Sequence, residues 1–259
     1  MLEQLIEILQ LPEKCIVNSK LTKAFFKRNF ELTGTERKQL DEPSVVIQMD
    51  LLASIKTSNS NIQNYSDEQM QFVEIVVIAA QTSETGFEKN KQKIADFIQK
   101  YIPYPILLCM YCDISFVFNT CDKRINRNEA NKRTVEKSYF TETISRTNTG
   151  EKQNAFLNSL AFTEMDKQNL KTLFDSYTSR IIALQAAQLI DNFTIRKNER
   201  SKEEVQHLEN ISRLELEIGS LVVKGKKETQ LNGHGVAAWG RTARSARRRG
   251  GEPGCARWD

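Results

Sequence analysis

The chain has 259 residues, 37 Lys and Arg against 33 Asp and Glu, a formal charge of +4, and 39% apolar residues. That length holds one full-sized domain with an extension. No apolar run approaches the roughly 20 residues that cross a bilayer, and the stretch from Met1 to Glu7 lacks the basic start of a signal peptide, so a cytoplasmic protein without membrane contact is expected. In chain order, Leu2, Leu5, Ile6 and Leu9 recur at helical spacing before Pro12. A basic helix is expected over Lys20 to Phe30, with Leu21, Ala24 and Phe25 on one side and Lys20, Lys23, Lys27 and Arg28 on the other. The β-branched runs Val45 to Ile55 and Phe72 to Ala79 read as adjacent antiparallel strands. Phe87, Lys91, Ile94, Phe97 and Ile98 mark a helix that Pro103 and Pro105 end.

A strand over Ile106 to Tyr111 follows, then Ile114 to Phe118 as its hairpin partner, a very polar connection from Asp122 to Arg133, and a strand over Lys137 to Ile144. Residues 1–150 are therefore expected to form an α+β domain, a mostly antiparallel five-stranded sheet with helices on one face. Beyond residue 150 the period changes from two to 3.6. Phe156, Leu157 and Leu160 start a short helix, and Leu170, Leu173, Phe174, Tyr177, Ile181 and Ile182 lie on a long one begun near Thr163, which gives a helical extension over 151–195. In the charged segment 196–232, Ile211, Leu214, Ile218 and Leu221 recur at 3, 4 and 3, the seam spacing of a short coiled-coil arm suited to a partner helix or a second copy.

Residues 233–259 differ from the rest. They hold both Trp, six of the eleven Gly and six Arg (Arg241, Arg244, Arg247, Arg248, Arg249, Arg257) against Glu252 and Asp259, with no Lys, Ile, Leu, Asn, Phe or Tyr. The first 232 residues are left with 31 positive and 31 negative charges. Lys, Asn, Ile and Phe have AT-rich codons, whereas Gly, Ala, Arg and Pro have GC-rich ones. A shift at one residue reads as a frameshift or fusion tail that is expected to be disordered.

The order of elements resembles a bacterial family known only as domain of unknown function 4391 (DUF4391). The likeness spans residues 5–232: Leu11-Pro12, Val17-Asn18 before a basic Phe-containing helix, Val73 to Ile75 in the second apolar strand, Ile102 to Leu107 with its two prolines, and Tyr139 to Glu142. The resemblance implies an accessory component of restriction or phage-defence regions, working beside a helicase or DNA methyltransferase. It also implies a longer C-terminal helix, so that this chain is read as truncated at Asn232.

The chemistry legible in the residues is mostly exclusion. A metal-dependent nuclease needs an Asp on one strand and Glu-x-Lys on the next. Asp50 and Glu74 lie on consecutive strands, but Ile75 to Ile78 follow Glu74, and Ala79, Ala80 and Gln81 stand where the strand ends. Cys109 and Cys112 have C-x-x-C spacing on a strand, where positions three apart face opposite sides, and they read as buried thiols. Five cysteines (Cys15, Cys109, Cys112, Cys121, Cys255) without framework spacing give no disulfide expectation. Two histidines, His207 and His234, give no His-based triad. With Gly34, Gly86, Gly150, Gly219 and Gly225 the only glycines before the tail, no phosphate-cradling loop can be built. No catalytic residue, metal or cofactor is expected. The expectation is a non-catalytic interaction subunit that docks through Ile211, Leu214, Ile218 and Leu221. The alternative is a nucleic-acid-binding or degenerate nuclease-like subunit using Lys20, Lys23, Lys27 and Arg28 together with Lys123, Arg124 and Arg127. Salt-dependent DNA binding separates the two.

Overall fold

The structure, a computed structural model, describes residues 1–42, 46–126, 133–190, 192–195, 206–207, 210–211, 213–214 and 216–226. Two compact units are distinguished, Met1–Val205 and Gln206–Asp259. In the first, the elements run α1 (Leu2–Leu9), β1 (Ile16–Lys20), α2 (Lys23–Asn29), α3 (Gly34–Asp41), β2 (Gln48–Lys56), α4 (Thr57–Ser60), β3 (Tyr65–Ser66), β4 (Gln71–Phe72), β5 (Glu74–Gln81) and α5 (Glu84–Tyr101). They continue with β6 (Ile106–Tyr111), β7 (Ser115–Ile125), β8 (Arg133–Phe140), β9 (Ile144–Ser145), α6 (Glu151–Ser159) and α7 (Leu170–Ile190).

The main sheet has seven strands rather than the five expected, in the order β1-β2-β5-β6-β7-β8 with β9 also on β7. Its pairs are antiparallel except β5–β6, which are parallel because α5 carries the chain back across the sheet. The additional strands were hidden by their polarity. β1 is an edge strand exposed over all but its first residue, so it carries no apolar alternation, and β9 is two residues long.

β7 also runs past Phe118 to Ile125, and β8 starts at Arg133, so both ends of the expected polar connection belong to a strand pair. Charged residues are tolerated there because the pair extends beyond the core, where Arg124 Nε meets Glu136 at 3.0 Å across the ladder.

Helices cover both faces of the sheet, not one. Val76, Ile78 and Ala80 pack with Phe87, Ile94, Phe97 and Ile98 of α5 and with Phe26 of α2. The alternate residues Ile75, Val77 and Ala79 are equally buried on the opposite face. There Phe118 meets Phe156 of α6 at 5.8 Å, and Thr178 of α7 donates to Thr120 Oγ1 at 3.1 Å. Every position of β6 is buried, as a strand covered on both sides requires.

Local chemistry sets the helix starts. Thr22 accepts from Phe25 N and begins α2 at Lys23, which leaves Lys20 on β1 instead of on the basic helix. Asn169 caps α7 by accepting from Thr172 N, so the helix begins at Leu170 and not near Thr163; Phe162–Glu164 form a separate 3-10 turn.

Glu36 closes a capping box with Thr33 and also reaches α5. Its carboxylate accepts from Thr33 N and Oγ1, from Lys100 Nζ at 2.8 Å and from Tyr101 OH at 2.7 Å. Burial by itself raises this carboxyl, but the four donors outweigh burial and bring its pKa from 4.5 to about 2. A carboxylate depressed on folding contributes stability above its unfolded pKa and loses it as pH falls through the folded value. Glu36→Gln is therefore expected to cost about 2 kcal/mol near neutral pH. The variant should also lose less stability than the parent between pH 4.5 and about 2. Urea midpoints across that range check this, and parallel losses in the two proteins would refute it.

Candidate functional site

The two basic stretches occupy different places in the fold. Lys20 ends β1 at one edge of the sheet, while Lys123 and Arg124 lie on β7, with β2, β5 and β6 in between. Lys27 is paired with Asp41 at 2.6 Å and Arg124 with Glu136, both exposed pairs. Lys20, Lys23 and Arg28 have no carboxylate partner among the described residues. Arg127 lies outside the described residues.

Lys123 turns inward. Its ammonium donates to the carbonyls of Ile102 and Tyr104, both at 2.8 Å, and burial pulls its pKa down to about 7. Pro103 and Pro105 have no N–H with which to order their own turn, so this lysine holds the turn from outside. A cation used in this way has little left for a phosphate.

Beside that turn lies a cleft of about 340 Å³, bounded by β4, β7, β8 and α7 and lined by Phe72, Pro103, Pro105, Asp122, Tyr139 and Asp175 among others. Tyr139 donates to Asp122 at 2.8 Å. Asp122 is exposed as a residue, yet desolvation of its carboxyl by the surrounding protein raises it, as does the neighbouring Asp175, against the lowering effect of that hydrogen bond. The other charges of the cleft are used within it: Lys171 holds Asp175, and Arg133 Nη2 donates to Gln71 Oε1 at 2.8 Å. Sequence reading missed this cleft, because its residues come from segments more than 100 positions apart and share no spacing. The prolines of 103–105 were its one visible trace.

Strand register decides the nuclease question. Asp50 faces Ala79 across the β2–β5 ladder, and Glu74 faces Lys56 at the other end. Five residues at about 3.4 Å each separate the two carboxylates by roughly 17 Å, too far to share a cation. Glu74 instead accepts from Ser54 Oγ at 2.6 Å and meets Lys56 at 3.4 Å. Asp50, 5% exposed, takes both its donated hydrogen bonds from Gln48 Nε2. Ala79 and Gln81 occupy the places next to Asp50 where a second carboxylate and a lysine would be needed. No group of three or more His, Cys, Asp or Glu among the described residues is placed to hold a metal ion.

Cys109 lies opposite Ala79, whereas Cys112 belongs to the cluster under α5. The two sulfurs therefore sit on different faces of the sheet, and burial pushes the Cys109 thiol up, away from the reactive thiolate.

In the second unit, residues 216–226 are helical, as are 206–207, 210–211 and 213–214. Ile211 is half-buried, while Leu214, Ile218 and Leu221 are 50%, 60% and 57% exposed. Val222, one turn from Ile218, is also exposed. Residues 233–259 lie outside the described residues. No helix among the described residues is long and apolar enough to cross a membrane.

These features define a mixed α/β domain with a mostly antiparallel sheet, joined to a charged helical segment that carries an exposed apolar stripe. The profile of the family described as a domain of unknown function, DUF4391, matches residues 9–234, and the chain belongs to that family. The match ends within two residues of the composition change at Gly233. No curated protein and no solved structure matches the chain.

Proposed function

We propose that this protein is a non-catalytic interaction subunit of a restriction or phage-defence system, docking through its C-terminal helical segment on a larger helicase or methyltransferase. The observation that carries the reading is the stripe of Leu214, Ile218, Leu221 and Val222, side chains at least half exposed at helical spacing, with Leu216 and Val223 exposed on the opposite side of the segment. Each such side chain gains about 1.5–3 kcal/mol on full burial, and spacing of this kind matches the anchors of helix-in-groove or coiled-coil recognition. The lone buried Asp50 beside Ala79 and Gln81 supports a subunit that leaves chemistry to its partner.

The test is co-purification of the chain with the products of its neighbouring genes. Capture of a helicase or methyltransferase by the parent, and its loss in the triple variant Leu214→Glu, Ile218→Glu, Leu221→Glu with an unchanged melting temperature for residues 1–205, is the expected result. Undiminished capture by the variant refutes the docking stripe, and a homodimer as the sole species assigns the stripe to a second copy.

The second reading, a nucleic-acid-binding subunit, draws support from Lys20, Lys23 and Arg28, which make no ion pair within the described residues. It requires DNA affinity that falls steeply with salt and weakens when these three residues become Gln. Docking through the apolar stripe requires neither.

A further inference from the structure

The helical segment of the second unit is apolar on two sides. Leu214, Ile218, Leu221 and Val222 form one row. At about 100° per residue, Leu216 and Val223 lie roughly 160° around the helix from the centre of that row, and they are 77% and 54% exposed. Exposed polar or small residues separate the two sides: Glu217 and Lys224 on one flank, Gly219 and Lys226 on the other. A one-sided groove that took the first row would leave Leu216 and Val223 in water. Helices with apolar side chains on opposite sides are covered on both.

Gly219 belongs to the second row, three residues after Leu216 and four before Val223. A glycine inside a helix costs about 1 kcal/mol relative to alanine. A Cβ added at Gly219 would meet nothing within 4 Å, so no contact among the described residues requires its absence. What a glycine does permit here is a neighbour from outside the chain, packed closer than the usual 8–10 Å or so between helix axes. The area points the same way. At these exposures the first row presents roughly 400 Å² and both rows together roughly 650 Å², against about 800 Å² per partner in a stable complex.

We propose that this segment inserts between two helices of the partner on which it docks, one covering Leu214, Ile218, Leu221 and Val222, the other packed closely over Leu216, Gly219 and Val223. The inference rests on the docking reading and adds the kind of surface that receives the helix: a helical pair with apolar inner faces instead of a single groove. Glu217 and Lys224 stay at the open edge between the two helices, in water.

Co-purification of the full chain with the products of its neighbouring genes tests this. The double variant Leu216→Glu, Val223→Glu is expected to reduce recovery of the helicase or methyltransferase by about tenfold or more, with the melting of residues 1–205 unchanged. Gly219→Ala favours the free helix, yet it should reduce recovery by about fivefold, because a methyl group there crowds the second helix. In cross-linking, Ile218→Cys and Val223→Cys should reach two different helices of one partner chain. Undiminished recovery in the double variant, with loss in the first-row triple variant, overturns insertion and leaves the docking reading standing. Cross-links from Val223→Cys to a second copy of this chain also overturn it, since they assign the second row to self-association. If the parent recovers neither enzyme, the docking reading fails and insertion fails with it.

Discussion

Replacing Arg180 by Leu is expected to destabilise residues 1–205 by about 4 kcal/mol, among the largest effects of any single exchange in the chain. Arg180 is 7% exposed and sits on α7, facing the end of α6 and the 3-10 turn that follows it. Its Nε donates to Ser159 O at 2.8 Å, Nη2 to Glu164 O at 2.7 Å and Nη1 to Ser176 O at 2.9 Å. The last residues of a helix have carbonyls without intrahelical donors, and one guanidinium satisfies two such ends and a carbonyl of its own helix. Leu fills much of the volume but donates nothing, so the carbonyls lose their partners, at about 1–3 kcal/mol for each that stays buried. Lys cannot replace it, since one ammonium does not span three acceptors arranged around a planar fork. A urea midpoint falling without a change in the slope of the transition checks this; a midpoint within about 1 kcal/mol of the parent would show that water replaces the donors.

The second large effect belongs to Asn119, fully buried in β7. Its amide donates to Ser138 Oγ and Tyr139 O, each at 2.9 Å, and its carbonyl accepts from Gln99 Nε2 at 2.9 Å. Gln99 in turn accepts from Cys121 Sγ at 3.0 Å. This chain of bonds joins α5 to β7 and β8 through a layer that is otherwise apolar, so each break leaves a buried polar group exposed to a low dielectric. Asn119→Leu is expected to cost about 3 kcal/mol. Gln99→Leu combined with it should cost less than the two single exchanges together, because removing both partners leaves fewer orphaned groups. Strict additivity in the double variant would show that the two amides act independently.

How much of this was legible in the chain follows from how local each feature is. The β-branched runs that became β2 and β5, and the helical spacing of Phe87, Ile94, Phe97 and Ile98 in α5, mark elements whose burial is written in their own residues. β1 and the far half of β7 carry no such mark. Ser19 and Lys20 are exposed, as is Asp122, and these residues are strands because Asp50 and Leu51 of β2, or Lys137 and Ser138 of β8, lie alongside them. Helices on both faces were missed for a related reason. Alternation in β5 is absent because both of its faces are covered, and the sequence of β5 alone does not say by what.

The candidate sites divide along the same line. Failure of Cys109 and Cys112 to form a C-x-x-C site follows from strand alternation alone, and the structure places them on opposite faces as that requires. Asp50 and Glu74 looked like neighbours because the two strands are neighbours, yet antiparallel register sends them to opposite ends. Lys123 looked like a surface cation in a basic run, whereas the Pro103 turn, about 20 residues earlier in the chain, draws its ammonium in.

By itself, then, the amino-acid sequence determined the mixed α/β class, the change from strand to helix period near residue 150, the charge balance of the first 232 residues and their low glycine count. Each of these depends on composition or on periodicity within a dozen residues, where side-chain volume and backbone preference act locally. Register, the covering of both sheet faces and the inward turn of Lys123 were decided only by the tertiary structure. They depend on which distant backbone carbonyl, carboxylate or ring comes within about 3–4 Å, and the loop-closing entropy that sets those encounters is paid by the whole fold.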